Sequence, residues 1–138
     1  MLLSSLWYTS YSTDVAFYKY IAKLNAARKL AIADKFGSFL ATPHSVAAVS
    51  NNAIALLKYP MLTVVNNYGS TGSGSLPISA SGYKEGTELV NVASDDCTVA
   101  TVGSGGALTV TFQAGEPQVS SIASLSSFPK LINLPRSH

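Results

Sequence analysis

Residues 45–68 read SVAAVSNNAIALLKYPMLTVVNNY, three apolar runs whose separating gaps are too short to hold anything but tight turns. Asn51-Asn52 punctuates the first gap, Tyr59-Pro60 the second, and Asn66-Asn67 with Gly69 closes the third. The runs, 45–50, 53–58 and 61–65, have the length of ordinary strands and are rich in Val, Ile, Leu and Thr. Two-residue connections cannot make the crossover that parallel strands require, so the three pair antiparallel. A meander this apolar needs a second layer over it, and the spacing predicts the inner sheet of a β-sandwich.

With 138 residues and 47% hydrophobic content, the chain can build one core. Charged residues make up only 12%, about half the usual share, a balance that suits a secreted β-rich protein better than a cytosolic helical one. The net charge of +2 is uneven. Residues 1–35 carry five basic and two acidic side chains, and residues 36–138 carry four and five. Most of that excess lies on one predicted helix without a basic run, which argues against a nucleic-acid partner. Cys97 is the only cysteine, so an internal disulfide and a cysteine-based zinc site are excluded, and it is expected to be unpaired. The start, MLLSSLW, has no basic residue and too short an apolar run for a signal peptide, and no window approaches a membrane span.

Ser12-Thr13-Asp14 has the chemistry of a helix start, with a hydroxyl able to cap and an acid where the dipole favours it. A helix is predicted over 14–33. Phe17, Tyr18, Ile21, Leu24, Ala31 and Ile32 fall on one broad face, with Asn25 and Arg28 inside it and Lys19 and Lys23 opposite. A guanidinium within an apolar face is costly unless it is paired or stays in water. From Gly37 onward the pattern is strand and turn. Residues 38–41 open it, 69–75 form a glycine-serine loop, and further strands are predicted at 76–80, 87–93, 97–102 and 107–112, the last two joined by a hairpin tip at 103–106. Eight short strands at regular spacing argue for a sandwich. Residues 120–138 hold no acid and no clean period, and are predicted to be a divergent, disordered tail.

Candidate chemistry is sparse. A glycosidase sets two carboxyls across a cleft, and Glu85, Glu88, Asp95, Asp96 and Glu116 follow no such arrangement. His44 and His138 have no companion ligand or nucleophile at useful spacing. The glycine loops lack the lysine and following helix of a phosphate cradle. Sugar stacking could use Trp7, Tyr8, Tyr11, Tyr59, Tyr68 or Tyr83, of which Tyr59, Tyr68 and Tyr83 are the weak candidates for a glucan-binding module.

In chain order, LWYTSYSTDVAFYKYIAKLNAARKLAI, AIALLKYPMLTVVNNYGSTGSG and SGYKEGTELVNVASDDCTVATVGSGGALTVTFQAGEPQV resemble the C-terminal end of fungal secreted α-amylases of glycoside hydrolase family 13. The resemblance runs from about Leu6 to Val119. Its sharpest pieces are the Tyr-Ser-Thr-Asp helix entry, Lys-Leu-Asn-Ala-Ala-Arg, the Ser-Gly-Tyr turn, and the Cys-Thr-Val strand followed by Gly-Glu-Pro-Gln-Val. It implies that residues 1–36 are a lead segment and the last helix of a (β/α)₈ barrel. Residues 37–119 would then be an antiparallel Greek-key sandwich, in a mainly β fold of about eight strands with one N-terminal helix. The barrel-docking residues would be Tyr18, Ile21, Leu24 and Arg28, with Arg28's partner upstream of Met1, and the core would hold Ile54, Leu56, Val64, Leu89, Val99 and Val110.

The same resemblance implies that the catalytic acids and calcium ligands of the parent enzyme belong to parts this chain does not match, so neither catalytic residues nor metal ligands are assigned here. Its implied partner is the catalytic barrel, with starch or maltooligosaccharide as a further ligand, and its implied location is extracellular. Two departures stand out. Met1–Ser5 replaces a substrate-contacting segment, and the tail lacks the cysteine that in the family would bridge to the position of Cys97. A truncated product or a mispredicted reading frame is the expectation that follows. The leading reading is a non-catalytic structural domain. A stand-alone starch-binding module and an active hydrolase are its rivals.

Overall fold

The computed structural model describes residues 13–33, 39–94 and 99–122. One helix, α1 (Ala16–Ala33), precedes eight strands: β1 (Ser45–Val49), β2 (Ala53–Lys58), β3 (Met61–Asn66), β4 (Ser73–Ile78), β5 (Glu88–Asn91), β6 (Val99–Thr101), β7 (Leu108–Gln113) and β8 (Gln118–Ile122). Six of them form one antiparallel sheet in the order β1-β2-β3-β8-β5-β6, and β4 pairs with β7 as a second layer. The fold is mainly β, as the turn spacing predicts.

The meander forms as its turns dictate. Tyr59-Pro60, with a cis peptide, closes β2 on β3 so that Lys58 faces Met61. Between β1 and β2 the Ser50 hydroxyl accepts the Ala53 N–H at 3.0 Å, holding the reversal that Asn51-Asn52 begins. After β3, Asn66 Oδ1 accepts the Tyr68 N–H at 3.1 Å, and Gly69 turns the chain at φ +70.

The core lies between the layers. Leu76, Ile78, Leu108, Val110 and Phe112 point inward from the β4–β7 ribbon onto Ala55, Leu62, Val64, Leu89 and Ile122 of the larger sheet. Strand β7 shows why: LTVTFQ alternates buried and exposed without a break. Tyr83 is inside too, 5% exposed, with its hydroxyl donating to the Pro60 carbonyl at 3.2 Å and its ring against Tyr59. Burial pushes the Tyr83 phenol well above its ordinary 10.0, and Tyr59 adds to the shift. Below pH ~10 the phenol is neutral in both states, whereas above it the unfolded chain loses the proton first, so stability falls as pH rises. Tyr83→Phe should flatten this alkaline slope while costing about 1 kcal/mol at neutral pH. Urea unfolding at pH 7 and pH 11 checks it, and an unchanged slope would contradict the assignment.

Several sequence expectations need correction. Val64, Leu89 and Val110 are buried, but Ile54 and Leu56 face outward and Val99 is 56% exposed. The cause is register. Ala55 pairs with Val64 and Ala100 with Leu89 on the inner face, which turns Ile54, Leu56 and Val99 to the other side. The hairpin predicted across residues 103–106 is instead a passage between layers. Strand β6 pairs with β5 and β7 with β4, while a 3₁₀ turn with Gly105 at φ +67 and Gly106 at φ +82 redirects the chain. Residues 39–42 form a turn and not a strand.

The glycine-serine stretch predicted as loop to residue 75 already belongs to β4 from Ser73. Most consequentially, the sandwich does not end at Val119, because β8 continues to Ile122 in the middle of the large sheet, paired with β3 and β5. The rest of the predicted tail, residues 123–138, lies outside the described residues, as does Cys97.

Candidate functional site

Helix α1 starts one residue after its cap, Val15, whose carbonyl accepts the Lys19 N–H at 3.1 Å. Asp14 precedes the helix and reaches Lys19 at 3.7 Å in an exposed pair of little energetic weight. Thus the predicted acid lies just outside the first turn.

The helix docks on the outer face of the six-stranded sheet. Ala27, 2% exposed, packs with Val92 and Val119, and Leu24, Met61 and Ala93 close around them. A methyl side chain at position 27 lets the helix backbone come close to the strands, and Ala31 is buried on the same side. The end of β5 beneath is tied by Asn91, whose Oδ1 accepts the Ala93 N–H at 3.1 Å and the Val119 N–H at 3.3 Å. On the helix itself, burial raises the Tyr20 phenol, and the Glu116 carboxylate adds to the rise.

The broad apolar face read from the sequence is therefore divided. Leu24 and Ala31 turn toward the sheet with Ala27. Phe17, Tyr18, Ile21 and Ile32 do not, and remain 47, 44, 40 and 40% exposed. At 100° per residue, the covered stripe and the open one are centred roughly 95° apart. Arg28 is exposed within the open stripe, with Ile21 seven residues before it and Ile32 four after, and Asn25 is exposed beside it. Of the four predicted docking residues, Tyr18, Ile21 and Arg28 share this open side, while Leu24 is spent on the sheet. Sequence reasoning missed Ala27, since a small side chain carries almost no weight in a hydrophobic pattern.

A second apolar surface lies on the outer face of the sheet beyond the helix. Register places Val46 beside Leu56, and Ile54 between Val49 and Val65. Val46, Val49 and Val65 are exposed. The alternation within β3 was the available signal for this outward set.

The three candidate tyrosines do not meet. Tyr83 is enclosed in the core. Tyr59 and Tyr68 are half-buried and sit beyond opposite ends of β3, a strand of six residues and so about 20 Å long. They cannot form one platform. Tyr68 lies across Gly72 and Gly74 and against Phe112, at 5.4 Å between ring centres, and a Cβ on Gly74 would stand 2.8 Å from its Cζ. The two glycines give this ring its seat.

Among the described residues the titratable groups form no constellation. Glu85, Glu88, Glu116 and His44 are exposed, and Asp95 and Asp96 lie outside the described residues. Among the described residues, no group of three or more His, Cys, Asp or Glu stands together to hold a metal ion. Among them also, no helix is long and apolar enough to cross a membrane.

The described residues form an antiparallel sandwich with a helix docked on the outer face of its larger sheet and apolar surface left open on both. The comparisons with known proteins say which family has this fold. Residues 46–128, more than half of the chain, match the family model for alpha-amylase, domain C, and the chain belongs to that family. It is similar to the alpha-amylase of Saccharomycopsis fibuligera, 36% identical over 115 residues, covering 83% of this chain and 22% of the relative. It is also similar to alpha-amylase 1 of Schwanniomyces occidentalis, 32% identical over 133 residues, with 94% and 25% covered. Among solved structures, an alpha-amylase from Malbranchea cinnamomea superposes with a TM-score of 0.80 at 28% identity, over 90% of this chain and 26% of that one. The chain thus spans about a quarter of the length of these relatives.

Proposed function

We propose that this chain serves as the non-catalytic C-terminal sandwich of an α-amylase, covering and bracing the catalytic barrel. The observation that carries the reading is the two-sided helix. One stripe is used up on the sheet, and a second, holding Phe17, Ile21 and Ile32, has no cover among the described residues. Large apolar side chains aligned in this way mark a surface built against another body. The longer relatives supply one, since roughly three quarters of each lies outside the match. On this reading the endohydrolysis of α-1,4-glucosidic bonds in starch, and the calcium that resemblance attaches to the parent enzyme, belong to the barrel.

The alternative, a stand-alone glucan-binding module, now rests on Tyr68, the one candidate ring braced by glycines and away from Tyr83's enclosed position. Two assays on the full chain separate the readings. Incubated with soluble starch at high protein concentration, it is expected to release no reducing sugar above the blank, and in affinity electrophoresis it should migrate unretarded through amylopectin. Retardation abolished by Tyr68→Ala would install the binding reading instead, and sugar release would establish an active hydrolase.

A further inference from the structure

Arg28 is the open stripe's anomaly. It is exposed, and no hydrogen bond or ion pair involves it among the described residues, whereas Lys19 holds Asp14. Its position on the helix falls between those of Phe17 and Ile21 in projection, with Ile32 one turn further on. Covering the stripe takes water from the guanidinium. A cation desolvated without a partner costs several kcal/mol.

Resting on the docking reading above, we infer that the barrel surface covering this stripe presents a carboxylate to Arg28, so that one ion pair inside an apolar contact sets how the helix seats. A guanidinium offers two parallel N–H donors in a fixed plane, and a carboxylate is the side chain that accepts both. Asn25, exposed on the same side, adds a neutral donor and acceptor at the contact's flank. A second copy of the stripe is a poorer cover, because across residues 13–33 the only acid is Asp14, outside the helix and already beside Lys19. Arg28 is therefore a positioning residue for the enzyme's architecture. It selects among apolar surfaces that would otherwise fit equally well.

The test places the full chain in a hybrid, in place of the matching segment of a longer fungal relative, and compares the hybrid with the isolated chain. In the hybrid, Arg28→Met should shorten the half-life of thermal inactivation about tenfold or more, with Arg28→Lys intermediate because it keeps the charge but not the planar fork. In the isolated chain the same change should leave the melting temperature within about 1 °C, since Arg28 there is solvated. A hybrid whose Arg28→Met variant survives as long as the parent overturns the carboxylate while leaving docking intact. If instead the sandwich melts in the hybrid at its isolated temperature, docking itself fails, and the pair with it. A dimer of the isolated chain that dissociates on Arg28→Met, seen by sedimentation equilibrium, would assign the contact to a second copy and overturn the inference.

Discussion

Replacing Leu62 with alanine is expected to destabilise the sandwich by roughly 2–5 kcal/mol and to lower its melting temperature by more than about 8 °C. Leu62 is 1% exposed, sits across from Leu57 on β2 and Ser120 on β8, and packs in the core shared with the β4–β7 ribbon. Removing its branched end leaves a cavity that strands held on two sides cannot collapse to fill. Ile54→Ala is the informative contrast. Ile54 is a larger apolar residue than its inward neighbour Ala55, yet it lies on the outer face, and its loss should cost less than about 1.5 kcal/mol. Thermal melts of the two variants read out the parity of β2 directly. Equal losses would mean that β2 presents its other face to the core.

Ala27→Glu is expected to remove most of the helical circular dichroism while the sandwich keeps its cooperative transition. Ala27 is held against Val92 and Val119 with almost no water contact. A carboxylate there would be buried without a partner, a penalty of several kcal/mol that a single helix-on-sheet contact cannot offset. The helix would leave the sheet, and 18 residues alone in water form a marginal helix. Phe17→Ser, on the open stripe, should leave the helical signal within about a tenth of the parent, because it removes no packing in the isolated chain. Retention of full helicity by Ala27→Glu would show that the helix does not depend on the sheet.

What the sequence revealed, and what it hid, follows from the nature of each signal. The meander was legible because turn residues and strand-length runs coincide, and β7 was legible because LTVTFQ alternates without exception. In β2, AIALLK is apolar at both parities, so the inward choice of Ala53 and Ala55 is decided by neighbours and not by hydropathy. Strand β8 was unreadable for a different reason. QVSSI is short and serine-rich, and its partners β3 and β5 are remote in the chain, so only tertiary pairing makes it a central strand.

Gly72 and Gly74 suggested a loop, yet they are there to admit the Tyr68 ring. The helix was legible as apolar and in need of a neighbour. That one stripe of it is already covered by the chain's own sheet depends on Ala27, whose importance lies in being small.

On the proposed reading, the Phe17–Ile21–Ile32 stripe is the interface with the catalytic barrel of an α-amylase. Hydroxyl-radical footprinting of these side chains, in the isolated chain and in a hybrid carrying the upstream part of a longer relative, tests it most directly. Phe17 and Ile21 should label readily in isolation and be protected about fivefold or more in the hybrid. Equal labelling of Phe17 and Ile21 in the two proteins would contradict the account.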